Sequence, residues 1–335
     1  MALNEYRTFC DAAVGDKFTR PVFIRDITET KKEGGNTHLR FTLLDGSSEV
    51  SAMLFSTTEE QMRNKGVSAH IIALATIRVS DFNGKSFNIE SIAPYSGGDL
   101  RFEDFIVTPP IDISVMYEEM ISALKAVGDD RGGTVHPLSD IAVTILERNK
   151  KEFTHSSAAV KVHHNFKGGL IYHSYRMFKA AEALCGVYTE LDKELVMTAA
   201  AIHDIGKMWE YRTDPYGDAE YSNHGVLFGH MYMGAKLVSN VADEYEQTHK
   251  DEPQYEPEKL KLLIHMILSH HGKHEWGAVV APAIPEAFVL HYIDNIDAKL
   301  NVCAKEYKNM EPGTVTQSRP FTLDGNIYRP KFKEG

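Results

Sequence analysis

The chain has 335 residues, 43% hydrophobic and 25% charged, which is long enough for two domains with ordinary globular cores. Its net charge of −11 argues against a protein that merely coats nucleic acid, because such proteins normally present a basic face. The sequence contains no apolar run of roughly 18 residues or more. Its start lacks the basic and apolar regions of a secretory signal. We therefore expect a cytoplasmic protein that makes no membrane contact.

The three cysteines, Cys10, Cys185 and Cys303, are widely spaced and odd in number. Their spacing matches neither a disulfide framework nor a CxxC metal motif. Because cytosolic proteins usually keep their thiols reduced, we predict three reduced cysteines.

Residues 14–95 predict five short strands rich in Val, Ile, Thr and Phe. The strand segments are VFIRDITETKK, THLRFTLLD, SEVSAMLF, IIALATIRVSDF and KSFNIESI. Turn signals stand at Gly34-Gly35-Asn36, Asp45-Gly46-Ser47 and Asn83-Gly84. The polar stretch STTEEQMRNKG between the third and fourth strands reads as a helix or loop. Five strands with such an insertion predict a small β-barrel of the OB type.

Barrels of this type most often bind single-stranded nucleic acid through a basic groove and stacking aromatic side chains. The side chains that could serve are Phe41, Phe55, Phe82, Phe87, Arg40, Arg78 and Lys85. The alternative is that most of the phenylalanines fill the barrel core. We predict a nucleic-acid-binding domain over residues 1–95, with Phe82 and Lys85 contacting the substrate.

Gly97-Gly98 and Pro109-Pro110 indicate a linker over residues 96–114, and helical periodicity then predicts an all-α bundle over residues 115–335. The helical segments are VMYEEMISALKAV, IAVTILERNKKEF, LIYHSYRMFKAAEALCGVY, DKELVMTAAAIHDIG, HGVLFGHMYMGAKLVSNVADEYEQ, EKLKLLIHMILSH and IPEAFVLHYIDNIDAKLNVCAKEY. Asp192 is a plausible N-cap, and no strand-like pattern interrupts the helices. The predicted fold class is therefore multidomain α and β, a small barrel followed by a helical bundle.

The helical region carries a set of residues typical of metal ligands. They are His173, His203, Asp204, His230, His270, His271 and Asp294. Imidazole and carboxylate suit Zn, Mn, Fe or Ni, and an adjacent His-Asp pair supplies two ligands from one turn. Asp204 follows the apolar run VMTAAAI, so we expect it to be buried and to need a cationic partner, either a metal ion or Lys207. Asp294 poses the same problem in its own apolar helix.

Two ions about 3.5–4 Å apart can hold both the attacking hydroxide and the departing oxygen of a phosphoester. Lys207 would then stabilise charge on the phosphate. Four other histidines are read as ordinary surface or core residues: His38, His70, His136 and His249. The roles of seven more stay open: His155, His163, His164, His224, His265, His274 and His291.

The order of His173, His203-Asp204 and Asp294 resembles the HD-domain metal-dependent phosphohydrolases, and His230 with His270-His271 resembles their dinuclear branch. The match is closer to the YhaM-type 3′–5′ exoribonucleases. The segments that carry it are HHNFKGGLIYH, AIHDIGK, GH at 229–230, HMILSHHGKHEWG, LHYIDNIDAKLN and FTLDGNIYRP. An OB-type domain before an HD domain is that family's architecture, so the resemblance covers nearly the whole chain.

The resemblance implies a nuclease that uses two divalent ions and releases nucleotides from the 3′ end of single-stranded RNA, with single-stranded DNA as a second substrate. Mn²⁺ is the expected ion, with Fe, Ni, Co, Zn and Mg as alternatives. One ion would take His173, His203, Asp204 and Asp294, and the other Asp204, His230, His270 and, as a further option, His271. Lys207 and Lys273 would contact phosphate. Roles for His274, Glu275 and Trp276 are not assigned.

Three alternative functions stay open at this point. The first is a phosphohydrolase or phosphodiesterase that acts on a small or cyclic nucleotide. The others are a di-iron oxygenase and a single-strand-binding protein whose helical domain is structural. Whether the chain forms a homo-oligomer is likewise open.

Overall fold

A computed structural model describes residues 3, 6–31, 37–82, 85–106, 108–129, 135–158, 166–214, 216, 219–308, 310–320 and 322–332. The predicted turns Gly34-Gly35-Asn36 and Asn83-Gly84, and also His163 and His164, lie outside the described residues. The chain divides into two compact units, Met1–Thr108 with Val302–Gly335, and Pro109–Asn301. In this division residues 96–108 and 302–335 group with the barrel, and residues 109–114 group with the helical bundle.

Five strands of the first unit close into a small barrel in the order β1-β2-β3-β5-β4, which confirms the predicted OB-type architecture. The strands are β1 (Lys17–Lys31), β2 (Thr37–Leu44), β3 (Glu49–Phe55), β4 (Ile71–Asp81) and β5 (Lys85–Pro94). Neighbouring strands are antiparallel except β3 and β5, whose parallel pairing of Ala52 with Phe87 closes the barrel.

The barrel core follows from alternation along the strands. In β4 the side chains of Ala73, Ala75, Ile77 and Val79 are buried, which is the period of two that a strand with one core-facing side requires. The polar stretch between β3 and β4 contains helix α1 (Glu59–Asn64), whose N-cap and N3 side chains form a capping box. The alternative of helix or loop is thus resolved in favour of a helix.

A buried ion pair ties β1 to the turn between β2 and β3. Nη1 of Arg20 lies 2.7 Å from Oδ2 of Asp45, and both side chains are fully buried. Oδ1 of Asp45 accepts hydrogen bonds of 2.9 Å from the backbone N–H groups of Ser47 and Ser48, which closes the predicted turn. Since a buried charge without a partner is costly, Arg20 and Asp45 depend on each other.

The second unit is a helical bundle with one continuous apolar core. Its helices are α2 (Ile113–Asp129), α3 (Ser139–Arg148), α4 (Lys150–His155), α5 (Gly169–Val187), α6 (Lys193–Ile202), α7 (Lys207–Glu210), α8 (Asn223–Thr248), α9 (Pro257–Ser269) and α10 (Pro285–Lys308), the last of which runs on into the first unit. The predicted N-cap is confirmed, because the Asp192 side chain accepts from the backbone N–H of Leu195 at 3.1 Å.

The helical unit departs from the sequence-based expectation at three places. A hairpin of β6 (Tyr211–Thr213) and β7 (Ala219–Tyr221) lies between α7 and α8, so the expectation of uninterrupted helices was wrong. The segment predicted as one helix after residue 140 is two helices, because Asn149 leaves the helical conformation. Helix α8 is kinked at Gly229, whose φ of 67° and ψ of 158° suit glycine.

Among the described residues, no helix combines the length and apolar character needed to cross a bilayer. Cys10, Cys185 and Cys303 are each unpaired. A short 3₁₀ turn at His274–Trp276 follows α9 and bears on the site described next.

Candidate metal centre

The predicted His-Asp pair lies at the buried end of α6. Helix α6 ends at Ile202, earlier than expected, and the buried His203 is its C-cap, with the buried Asp204 directly after it. Gly206 then passes so close to α8 that a Cβ atom on it would lie 2.0 Å from the carbonyl oxygen of His230. Only glycine permits this approach, which brings His230 next to Asp204.

A first group of side chains forms around His173, His203 and Asp204, whose ligand atoms all lie within 4.8 Å of one another. Nε2 of His173 is 3.2 Å from Nε2 of His203 and 3.5 Å from Oδ2 of Asp204. Oδ1 of Asp294, from α10, is 3.4 Å from the same nitrogen of His173. Four of the predicted ligands therefore meet at one point.

A second group consists of His230, His270 and His271, which also lie within 4.8 Å of one another by their ligand atoms. Nε2 of His230 and Nε2 of His270 are each 3.5 Å from Oδ1 of Asp204. Asp204 thus turns one carboxylate oxygen toward each group. All seven predicted metal ligands are brought together.

The hydrogen bonds of the five histidines fix their tautomers. Each Nδ1 contacts an oxygen that can only accept: His173 with Asp297 Oδ2 at 2.7 Å, His203 with Ala200 O at 3.1 Å, His230 with Glu210 Oε2 at 2.8 Å, His270 with Ile267 O at 2.7 Å and His271 with Trp276 O at 2.9 Å. Nδ1 must therefore donate in every case, so in a neutral ring Nε2 carries a lone pair. This arrangement is typical of histidines that bind metal ions.

Within the described part of the chain, three buried atoms at the centre have no hydrogen-bond partner: Asp204 Oδ1, His230 Nε2 and His270 Nε2. Buried polar atoms seldom lack a hydrogen-bond partner, because losing their contacts with water without replacement costs free energy. When both rings are neutral, the lone pairs on Nε2 of His173 and His203, only 3.2 Å apart, would also repel each other. Divalent cations bound between these atoms resolve both conflicts, and mixed imidazole and carboxylate donors suit Mn, Fe, Co, Ni and Zn. The residues present fit a metal centre.

The electrostatics of the first group favour positive charge at its middle. Burial opposes the charged form of Asp204, but Lys207 and His203 hold its pKa well below the usual range. Burial likewise opposes ionisation of Asp294, and His173 lowers its pKa nonetheless. Burial disfavours a charged His173, yet hydrogen bonds to Asp294 and Asp297 raise its pKa to about 10. The carboxylates therefore stabilise a cation at Nε2, whether a proton or a metal ion.

Two histidines of the second group, His270 and His271, are disposed to be neutral. Burial lowers the pKa of His270. Burial, together with repulsion from His270 and His230, lowers the pKa of His271 to about 2. Neutral imidazole is the form that binds metal, so these rings are ready to act as ligands.

Two helix ends add to the attraction for cations. His203 is the C-cap of α6 and His270 is the C-cap of α9. The C-terminal end of a helix carries partial negative charge from its unpaired carbonyl groups. Both ligand groups therefore include a residue at a position where the backbone itself favours positive charge.

Lys207 is a buried member of the same site. Its Nζ donates a hydrogen bond of 2.6 Å to Oδ2 of Asp204. Burial would lower the pKa of Lys207, but the Asp204 carboxylate outweighs burial and raises it. The ammonium group of Lys207 is therefore charged, as its predicted role in stabilising a phosphate requires.

Two acidic residues that support the histidines were missed from the sequence. Asp297 accepts from His173, and Nε of Arg176 lies 2.7 Å from its other oxygen. Glu210 accepts from both Nδ1 and the backbone N–H of His230, at 2.8 and 3.0 Å. Asp297 follows Asp294 by three residues on α10, a spacing that shares a helix face and could have revealed it. No comparable signal marks Glu210, which stands at the end of a short helix.

The predicted substrate contacts lie in varied environments. Phe82 is 74% exposed on the barrel, whereas Nζ of Lys85 donates to the carbonyl of Phe9 at 3.1 Å. Lys273 is exposed and lies near the second group, with its Nζ 3.3 Å from Oε1 of Glu275. Of the other side chains considered, Phe41 and Phe87 fill the barrel core, Phe55 is exposed and Arg78 pairs with Glu90.

Comparisons with known proteins find one family profile and several relatives that match this chain. The profile of the HD domain family matches residues 170–299, a span that contains all seven predicted metal ligands. Proteins described as 3′-5′ exoribonuclease YhaM are similar over nearly the whole chain. The relative from Geobacillus is 30% identical over 322 residues, which are 95% of this chain and 94% of the relative.

The chain belongs to the YhaM family. Two further YhaM proteins are each 29% identical to this chain. The alignment with the Bacillus pumilus protein covers 96% of this chain and 97% of the relative. The alignment with the Bacillus subtilis protein covers 95% of this chain and 96% of the relative. Among solved structures, RecG bound to a three-way DNA junction aligns with a TM-score of 0.22 and 15% identity over 55% of this chain and 25% of RecG, too little to bear on function.

Proposed function

We propose that this protein is a metal-dependent 3′–5′ exonuclease that hydrolyses phosphodiester bonds of single-stranded RNA, with a metal-activated water as the nucleophile. The observation that carries the proposal is Asp204, whose two carboxylate oxygens each face one group of ligand-type side chains. A carboxylate so placed can bridge two ions, as hydrolysis of phosphoesters by two metals requires. Membership of the YhaM family, whose relatives are described as exoribonucleases, supports the same reaction.

In this proposal the two groups hold two divalent ions. His173, His203, Asp204 and Asp294 would bind one ion. Asp204, His230, His270 and His271 would bind the other, and Mn²⁺ is the ion that we propose for both. The mixed nitrogen and oxygen donors also accept Fe, Co, Ni or Zn, and Mg less well, so availability in the cell decides among them.

When bound, the ions supply a hydroxide at neutral pH and neutralise charge on the reacting phosphate. The residues of the chain position that chemistry. Asp297 and Glu210 hold the rings of His173 and His230 with Nε2 pointing inward. Lys207 keeps a positive charge beside Asp204 in a site that is almost closed to water, where such a charge stabilises a developing phosphate oxyanion effectively.

The OB-type barrel would bind the single strand, with the exposed Phe82 and the neighbouring Lys85 as contacts and Lys273 as a phosphate contact near the metal centre. Single-stranded DNA is a second candidate substrate, because aromatic stacking does not distinguish the sugars. We further propose a cytoplasmic location, the domain limits 1–95 and 115–335 with a linker over 96–114, and, to be tested by light scattering, a homo-oligomer.

The direct test is to incubate the purified protein with 5′-labelled single-stranded RNA and Mn²⁺. The expected result is a ladder of products that shortens from the 3′ end and disappears when the ions are chelated. Asp204→Asn removes the charge of the bridging carboxylate while keeping its shape, and is expected to abolish the ladder. If metal-loaded wild-type protein leaves the RNA intact, the proposal is wrong. The next substrates to test would then be cyclic nucleotides and nucleoside triphosphates.

A further inference from the structure

We propose that Trp276 and His291 form a stacking platform for the base of the 3′-terminal nucleotide of the substrate, and that Trp276 selects ends that carry a base. The inference rests on the proposed function, which it deepens by naming a nucleobase-binding site. Neither the metal centre nor the barrel accounts for these two aromatic residues.

The platform is joined by hydrogen bonds to the second group of proposed metal ligands. Trp276 ends the 3₁₀ turn after α9, and its carbonyl oxygen accepts the 2.9 Å hydrogen bond from Nδ1 of His271. Nδ1 of His291, on α10, donates to the carbonyl oxygen of His270 at 2.9 Å. Trp276 is therefore hydrogen-bonded to His271, and His291 is hydrogen-bonded to His270.

The rings of Trp276 and His291 lie next to each other. The ring centroids of Trp276 and His291 are 5.9 Å apart, with an angle of 31° between the planes. The ring of Tyr292, which is 61% exposed, continues from His291 at 5.2 Å. Trp276 is itself 48% exposed, although a tryptophan is highly buried on average. Exposed aromatic faces beside a reaction centre are what single-stranded nucleic acid needs for stacking of its bases.

A cation lies over the indole ring of Trp276. Nζ of Lys273 lies 4.6 Å from the centroid of the Trp276 ring, a cation–π distance. This ammonium group, which lies 3.3 Å from Oε1 of Glu275, supplies a cation within reach of a nucleotide stacked on the indole, in a chain of net charge −11. The combination of an indole face and an adjacent cation suits a nucleotide better than it suits an apolar ligand.

The terminal nucleotide is the part of the substrate that reaches this surface. An exonuclease that works from the 3′ end cleaves the last phosphodiester, so the scissile phosphate must lie at the metal centre. One ribose separates that phosphate from the terminal base. A platform attached directly to the residues of the second group is thus within reach of that base.

The test compares two single-stranded RNA oligomers that are identical except that one lacks the base of its 3′-terminal nucleotide. Stacking on one aromatic side chain is worth about 1–3 kcal/mol per base, so wild-type protein with Mn²⁺ should prefer the complete end by about 5- to 150-fold in kcat/KM, mainly through KM. Trp276→Ala should remove this preference, and Trp276→Phe should retain most of it. Purine ends should be preferred to pyrimidine ends, because purines stack more strongly.

Tyr188→Ala is the matched control, since Tyr188 is 49% exposed and lies roughly 20 Å along α5 from His173. It should keep the wild-type preference. Equal activity of wild-type protein on both oligomers would overturn the inference. So would a Trp276→Ala protein that loses kcat equally on both and binds less Mn²⁺, because Trp276 would then act only through His271. If wild-type protein cleaves neither oligomer, the exonuclease proposal fails, and the inference fails with it.

Discussion

Nδ1 of His173 donates a hydrogen bond of 2.7 Å to Oδ2 of Asp297, and the other oxygen of that carboxylate pairs with Arg176. The carboxylate therefore fixes the ring of His173 from behind, while Arg176 fixes the carboxylate. An anionic acceptor also makes the opposite ring nitrogen a better electron donor. In the proposed metal centre, we therefore expect the metal affinity of the first group to depend on Asp297, which is not among the proposed ligands.

We expect Asp297→Ala to weaken Mn²⁺ binding about 10- to 100-fold, because the ring of His173 loses both its orientation and its anionic partner. Asp297→Asn keeps an acceptor at the same place and should have a smaller effect. Titration of the metal-free protein with Mn²⁺, followed by calorimetry, measures both. Asp243→Ala, an exposed carboxylate on α8, is the control. Unchanged affinity in Asp297→Ala would show that the hydrogen bond has no role in metal binding.

Glu210→Gln should affect the second site selectively. Glu210 binds both Nδ1 and the backbone N–H of His230, and glutamine preserves its shape while removing its charge. At limiting Mn²⁺ we expect the metal content, measured by mass spectrometry, to fall from two ions per chain toward about one, with a corresponding loss of activity. Glu246→Gln, an exposed position on α8, should keep the full content. A variant that loses both ions, or neither, would contradict this division of the ligands.

Metal binding should become tighter as pH rises. The raised pKa of His173, about 10, means that its ring is protonated near neutrality when no metal ion is bound. Only the neutral ring can be a ligand, so each binding event must release that proton. The Mn²⁺ dissociation constant should therefore fall by about tenfold per pH unit between pH 6.5 and 8.5, below the pKa. Calorimetric titrations in buffers of different ionisation enthalpy would measure the released proton. A dissociation constant that does not change with pH would refute the prediction.

The buried ion pair of the barrel should contribute strongly to stability. Asp45→Ala leaves the fully buried guanidinium of Arg20 without its carboxylate and is expected to lower the free energy of unfolding by about 3–5 kcal/mol. Replacing both residues by apolar ones, Arg20→Met with Asp45→Leu, should cost less than the single change, although the turn at Ser47 also loses its acceptor. Denaturant unfolding followed by circular dichroism gives both values. A single variant as stable as wild type would mean that water reaches Arg20.

The clustering of the candidate ligands could be predicted because two of them, Asp204 and Asp294, conflict with their apolar surroundings. Asp204 and Asp294 stand out in the sequence as acidic residues within apolar helical segments, and burial of a carboxylate demands a cation. The barrel could also be predicted, because the alternation of buried and exposed residues along β4 is a local pattern. Both the alternation along a strand and an acidic residue in an apolar segment can be recognised from a single segment of the sequence.

The features that escaped prediction depend on contacts between distant segments or on very short elements. Strands β6 and β7 have only three residues each, too few for alternation to show. The hydrogen bond from Nζ of Lys85 to the carbonyl of Phe9 likewise depends on a partner that only the closed barrel supplies. Glu210 supports His230 because the chain folds back through the hairpin, which no spacing in the sequence indicates.

The helix C-termini at His203 and His270 bear on the order in which metal ions and RNA bind. Without bound metal ions, the carboxylates of Asp204, Asp294, Asp297 and Glu210 outnumber the cations Lys207, Arg176 and the protonated His173, and two partially negative helix termini add to them. Such a field repels a phosphate group. We therefore expect metal ions to bind before the polyanionic strand enters, so that substrate binding depends on bound metal. In steady-state kinetics Mn²⁺ should then behave as an essential activator that adds first, and excess RNA should not restore activity at low metal concentration.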